Sequence, residues 1–129
     1  MQVTILQEQA RVPVAVLLVK GNIDSSTYEQ FEQSAKQAIQ SGAQDLLIDL
    51  TETPYISSAG IRALTSLFSQ LHNSKEIQTA EKTVLSDNYK SPHLKLASVS
   101  PHVLQVLKMA GTDAFLDIYK NRQDALAAF

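Results

Sequence analysis

Two adjacent hydroxyls, Ser57 and Ser58, stand where a short apolar run gives way to a helical pattern, in the segment QDLLIDLTETPYISSAGIRALTSLFSQL spanning 44–71. The run Leu46-Leu47-Ile48 with Leu50 has the character of a buried strand, and a polar turn follows it. Ala59-Gly60-Ile61 then opens a helix. Serines at a helix mouth meet backbone N–H groups without intrahelical acceptors and the positive end of the helix dipole. Two kinds of chemistry suit that place: capping of the helix, or carriage of a phosphate. Capping accounts for one serine. A second serine followed by two small residues leaves the first turn bare, open to close approach by a partner or a modifying enzyme. A phosphate there would bring nearly two negative charges to donors able to receive it. It would change the charge and shape of the face without unfolding the helix.

Other chemistry-bearing residues are fewer. Asp24, in Gly21-Asn22-Ile23-Asp24, precedes another helical pattern and reads equally as a turn residue or as a surface acid beside the serine turn. Loops after parallel strands gather at the carboxyl edge of the sheet, which would put Asp24 and Ser57-Ser58 on one face. Asp49 interrupts an apolar strand and reads as an acid bonding the N–H groups of a nearby turn rather than as a general base. His72, His93 and His102 offer a formal Ser-His-acid set, but Ser57-Ser58-Ala59-Gly60 lacks the flanking glycines of a nucleophile elbow. The histidines therefore read as surface residues without a special role. Neither a metal-ligand spacing nor a glycine-rich nucleotide loop occurs, so no catalytic residue, metal ligand or cofactor is assigned.

Alternation at Val3, Ile5 and Gln7 predicts a short half-buried strand, and the β-branched stretch Val14–Val19 predicts one buried on both faces. Ser26 and Glu29 have capping-box spacing ahead of Tyr28, Phe31, Ala35, Ala38 and Ile39, which recur at helical intervals until Ser41-Gly42. A strand over Asp45–Leu50 precedes the serine turn, and Ile61, Leu64, Leu67, Phe68 and Leu71 form the stripe of the next helix. The polar stretch His72–His93 keeps no sustained period and reads as an exposed insertion, long for a loop in a compact domain. Leu94–Val99 predicts a strand, and Ser100-Pro101 starts a helix ended by Gly111. Phe115–Tyr119 predicts a last strand, and Asn121 with Asp124 caps a terminal helix. This order, β-β-α-β-α-β-α-β-α, predicts an α/β fold with a mostly parallel or mixed sheet of about five strands and about four helices.

The chain of 129 residues fits one domain, 1–129, with enough length for a single core. A net charge of −2, with 11 basic residues scattered among 13 acidic ones, argues against nucleic-acid binding and against an anionic membrane surface. The absence of cysteine excludes disulfides, thiolate nucleophiles and thiolate metal sites. The N-terminal stretch lacks an apolar signal core, and Val14–Val19 is far short of a membrane span, so the expected location is cytoplasmic.

The segment LLIDLTETPYISSAGIRAL resembles the signature of the STAS domain, the fold of bacterial anti-sigma factor antagonists. In that signature an apolar strand ending in aspartate leads through a turn to a D-S-[SA]-G-[LI] motif that opens a helix. VLLVKGNID resembles the family's strand ending in G-x-[LI]-D. LKLASVSPHVLQVLKMAG with FLDIY resembles its closing strand, S-P-x-V helix, glycine stop and final strand. The resemblance spans nearly all of the chain outside His72–His93. It implies a phosphorylated serine at Ser58. The motif aspartate falls on Ser57, so the turn has one carboxylate fewer and Ser57 is an alternative acceptor. It further implies a partner-facing surface of Asp24, Ser25, Ser57, Ser58, Ala59, Gly60, Ile61 and Arg62. The implied role is partner switching without enzymatic activity of its own. The partners would be an anti-sigma factor and serine kinase of the GHKL type, and a serine phosphatase of the PPM type. A constitutive scaffold or regulatory subunit, and a nucleotide or small-ligand sensor, are the rival roles. The N-terminal edge strand is also available for weak homodimer formation.

Overall fold

The computed structural model describes residues 1–71 and 91–129. Five strands form one sheet in the order β1-β2-β3-β4-β5: Gln2–Gln9, Pro13–Lys20, Leu46–Glu52, Leu94–Ala97 and Asp117–Tyr119. β1 and β2 are antiparallel, joined by a tight turn, and the other neighbours are parallel. Four α-helices lie among the described residues: α1 (Tyr28–Gln40), α2 (Ser58–Leu71), α3 (Pro101–Met109) and α4 (Arg122–Ala127). This is the mixed α/β sheet that the order of periodic segments implies.

Alternation along the strands divides the interior in two. Ala15, Leu17, Val19, Leu46, Ile48, Leu50, Leu94 and Leu96 point to one face. There they meet Phe31 and Ala35 of α1, Ala63, Leu64 and Leu67 of α2, and Val103 and Leu107 of α3. The opposite face carries Val14, Val16, Leu47 and Ala97, covered by Ala125 and Leu126 of α4 and by Phe129. β2 and β3 are thus apolar on both sides, which is why they read as continuous runs rather than alternating ones. On the second face Asp49 is buried. It accepts from the Thr51 N–H (3.0 Å), the Thr51 hydroxyl (2.5 Å) and Arg122 Nε (3.1 Å). The expected acceptor role holds, but its donors are Thr51 within β3 itself rather than a turn, with a guanidinium added from α4.

Several local expectations change. α1 begins at Tyr28 with Thr27 at the N-cap position, and no Ser26–Glu29 box forms. The cause is Asp24, whose Oδ1 takes both the Ser26 N–H and the Ser26 hydroxyl, leaving Ser26 no part in the helix. β3 runs two residues past Leu50. The expected strand over Phe115–Tyr119 keeps only its last three residues, because a 3-10 turn at Thr112–Ala114 carries the chain past Gly111 and folds Leu116 inward. The first strand runs eight residues rather than being short, with Val3 packed against the core and Ile5 36% exposed. Of the expected insertion, residues 72–90, including His72, lie outside the described residues. Its end belongs to the fold: Ser91 is buried, and its N–H donates to Phe115 O (2.9 Å). His93 O accepts from the Leu46 N–H, and its Nδ1 lies 3.0 Å from Asp45 Oδ1.

Candidate functional site

The carboxyl ends of β2, β3 and β4 lie side by side, and the loop after each leads into a helix. The first two loops are stitched together by backbone. The Gly21 N–H donates to Glu52 O (2.9 Å), the Ile23 N–H to Tyr55 O (3.1 Å) and the Ser57 N–H to Ile23 O (2.9 Å). Ile23 and Ile56 form a parallel bridge. This short extension of the sheet sets the residue after Ile23 beside the residue after Ile56. Asp24 and the serine pair, 33 and 34 positions apart in the chain, are therefore brought onto one face, as the sequence led us to expect. The third loop joins through Ser100, whose hydroxyl donates to Pro54 O (3.5 Å) and accepts from the Val103 N–H as the cap of α3.

The two serines have different jobs. Ser57 Oγ accepts from the Ala59 N–H (3.2 Å), and Ser57 O accepts from the Ile61 N–H as the first helical bond, so Ser57 is the N-cap of α2. Ser58 is the first helical residue and its side chain is exposed. Capping, open to either serine on sequence grounds, belongs to Ser57. Aspartate and serine are comparable N-caps, so serine in place of the motif aspartate preserves the helix start while removing a charge. The amides of Ser58 and Gly60 have no protein acceptor among the described residues, so two donors of the first turn remain for an anion. Arg62, exposed and the only charged side chain of α2, follows Ser58 at the i,i+4 spacing that makes surface neighbours.

Ala59 and Gly60 are not a bare outer surface. Both are buried, and a Cβ on Gly60 would sit 2.4 Å from Ile56 Cγ1, 2.9 Å from Ile23 Cγ2 and 3.0 Å from Ile23 O. Gly60 is small because the helix mouth rests directly on the Ile23–Ile56 bridge. The residues of this turn that meet solvent are Ser58 and Arg62, with Ser57 and Ile61 half-buried and Ser25 exposed in the neighbouring loop.

Asp24 is partly exposed and locally satisfied through one oxygen. Oδ1 accepts from the Ser26 N–H (2.9 Å), the Ser26 hydroxyl (2.6 Å) and the Thr27 hydroxyl (3.3 Å). These bonds, the Ser26 hydroxyl foremost, hold its pKa below the ordinary carboxylate value. Asp24 is therefore both a turn residue and a fixed negative charge on the serine face. Sequence reasoning passed over Tyr55 and set His102 aside. Tyr55 is 40% exposed, and its ring stacks on that of His102 with centroids 5.2 Å apart. An aromatic residue between Pro54 and Ile56, in a turn otherwise made of polar and β-branched residues, was the available signal. Among the described residues there is no group of three or more His, Asp or Glu side chains able to hold a metal ion, and no helix is long and apolar enough to cross a membrane.

Comparison with known proteins identifies the family and the fold. A sequence model of the STAS domain matches residues 5–80. The protein BtrV of Bordetella bronchiseptica, named for an anti-sigma factor antagonist role, is 26% identical over 114 residues, covering 88% of this chain and 84% of its own. An anti-sigma factor antagonist from Mycobacterium paratuberculosis superimposes with a TM-score of 0.73 at 22% identity, over 98% of this chain and 93% of that one. Bacillus SpoIIAA in its phosphorylated form gives a TM-score of 0.57 at 15% identity, over 95% of this chain and 96% of that one.

Proposed function

The chain belongs to the STAS domain family, and we propose from that premise that it is an anti-sigma factor antagonist of a partner-switching pathway, carried by Ser58 as a reversible phosphate acceptor. The observation that supports this most is the division of labour within the serine pair. Ser57 is committed to the helix cap, while Ser58 presents an exposed hydroxyl beside two amides that have no acceptor among the described residues. Of the two hydroxyls, Ser58 is the one a kinase reaches without undoing the cap, and Ser57 is the alternative acceptor.

The partner-facing surface in this reading comprises Asp24, Ser25, Ser57, Ser58, Ile61 and Arg62, with Tyr55 and His102 at its margin. Ala59 and Gly60 shape it from beneath. The partner is an anti-sigma factor and serine kinase of the GHKL type, and the reset enzyme is a serine phosphatase of the PPM type. No enzymatic role is assigned to the chain itself, which is read as a single cytoplasmic domain over 1–129. Phosphate on Ser58 would be tolerated by the fold because it lies at the positive end of α2. It would oppose binding because its charge, added beside Asp24, enters the contact itself. Burying a doubly charged group in the contact costs several kcal/mol wherever the partner supplies no cation to match it, and each 1.4 kcal/mol is about a tenfold loss of affinity.

The test is a binding experiment with a GHKL-type kinase that captures the unmodified chain. Adding ATP should dissociate the wild-type complex, while Ser58→Ala should remain bound. Dissociation of the Ser58→Ala complex by ATP would defeat the reading. A complex indifferent to ATP with the wild-type chain would favour a constitutive scaffold.

A further inference from the structure

The two edges of the sheet differ. β5 is three residues long, carries Asp117, and is followed directly by Lys120. A short, charged edge of this kind resists pairing with other chains. β1 is eight residues long and pairs with β2 over its whole length in unbroken register. Its sequence, QVTILQEQ, contains no proline, lysine or glycine and one charge, Glu8. Among the described residues no strand pairs with its outer side. Ile5 adds an independent observation. It is the central large apolar side chain of the strand, it faces the same side as Val3, and yet it is 36% exposed, although its β2 neighbour Leu17 is wholly buried.

We propose that β1 pairs with β1 of a second copy of the chain, antiparallel about a two-fold axis at Ile5, continuing the sheet across both protomers. A two-fold axis normal to the sheet reverses the strand and keeps its faces, so odd positions meet odd positions and even meet even. Centring the axis on Ile5 puts each Ile5 against the other copy's Ile5. Val3 then faces Gln7, Thr4 faces Leu6, and Gln2 faces Glu8. The exposed isoleucine is covered by its own copy, and no two like charges meet across the pair. Shifting the axis to Leu6 leaves Ile5 opposite Gln7 and loses that burial. One strand per protomer supplies about eight residues a side, against roughly 20–30 in a standard interface. The dimer is therefore weak and concentration-dependent. It lies at the sheet edge rather than on the serine face and does not depend on phosphorylation.

Because the sequence has no cysteine, single-cysteine variants report the register directly. Residues directly opposite in an antiparallel pair have Cβ atoms about 4.5–5.5 Å apart, close enough to bridge with a small adjustment. Ile5→Cys should cross-link to a covalent dimer under mild oxidation at submillimolar concentration, many-fold faster than Gln9→Cys, an exposed position that would face Met1. Both sites are exposed, and a thermal melt of each variant confirms folding. In sedimentation velocity the wild-type chain should shift toward dimer as concentration rises, and Ile5→Lys should abolish the shift. A wild-type chain that stays monomeric at the highest soluble concentration would overturn the proposal. So would Gln9→Cys cross-linking as fast as Ile5→Cys.

Discussion

Gly60→Ala tests how the serine turn is built. The substitution adds one methyl group to the first turn of α2. On helix propensity alone it should stabilise, since alanine is favoured over glycine by about 0.8–1.0 kcal/mol in a helix interior. The structure predicts the opposite sign. The new Cβ would lie 2.4 Å from Ile56 Cγ1 and 2.9 Å from Ile23 Cγ2, both inside contact distance, and 3.0 Å from the Ile23 carbonyl oxygen. Cγ1 sits at the branched base of its side chain, and the oxygen is backbone that accepts the Ser57 N–H. Neither yields without moving the Ile23–Ile56 bridge. Overpacking costs about 1–3 kcal/mol, and with backbone in the clash the upper part of that range applies. Less the propensity gain, the net loss is about 1–2 kcal/mol. For a domain of this size that is roughly a 4–8 °C fall in Tm. Urea denaturation should show a lower midpoint with an unchanged m-value. Adding Ile56→Ala should cost less in the Gly60→Ala background than in wild type, because removing Cγ1 relieves the clash. A Gly60→Ala chain as stable as wild type, or more so, would refute the packing argument and return the small residues to the role of an open surface.

Three further outcomes follow from the same geometry. Ser57→Ala should lose about 1 kcal/mol as a helix cap, while Ser58→Ala should stay within about 0.5 kcal/mol of wild type, both read by chemical denaturation. Asp24 is held ionised by donors present only in the folded chain, so the unfolded chain binds its proton first as pH falls. Its stabilising contribution is complete above the ordinary carboxylate value and is lost as pH drops through the lowered one. Asp24→Asn should accordingly flatten the acid limb of the stability profile measured by thermal melts and leave its shape above neutrality unchanged. Arg122→Ala removes the guanidinium from buried Asp49 but leaves both Thr51 bonds, so a loss of about 1.5–3 kcal/mol is expected in urea denaturation.

Much of this architecture is legible in the chain because its strands and helices bury apolar side chains at their own periods. Val14–Val19 reads as a doubly buried strand and Asp45–Leu50 as a buried one, and the stripes of α1, α2 and α3 begin and end close to where propensity and capping residues put them. The co-location of Asp24 with the serine turn was also legible, since parallel β-α units place such loops at one edge. What failed were choices between near-equivalent local partners. Ser26 has the spacing of a cap, but the Asp24 carboxylate, two residues back, competes for it and wins. The serine pair does not announce which hydroxyl turns inward. Gly60 looks the same in sequence whether its missing side chain makes room outside the helix or beneath it. Only the tertiary bridge between Ile23 and Ile56 decides that. Tyr55 was missed because an exposed aromatic is defined by what surrounds it, here the ring of His102, 47 residues later in the chain.

The central claim is that Ser58, and not its neighbour, takes the phosphate. The direct measurement is site-resolved mass spectrometry of the wild-type, Ser57→Ala and Ser58→Ala chains after incubation with a binding GHKL-type kinase and ATP. The account predicts one phosphate on Ser58 in the wild-type chain, retained in Ser57→Ala and absent from Ser58→Ala. Phosphate on Ser57, or no phosphate on a chain that the kinase demonstrably binds, would contradict it.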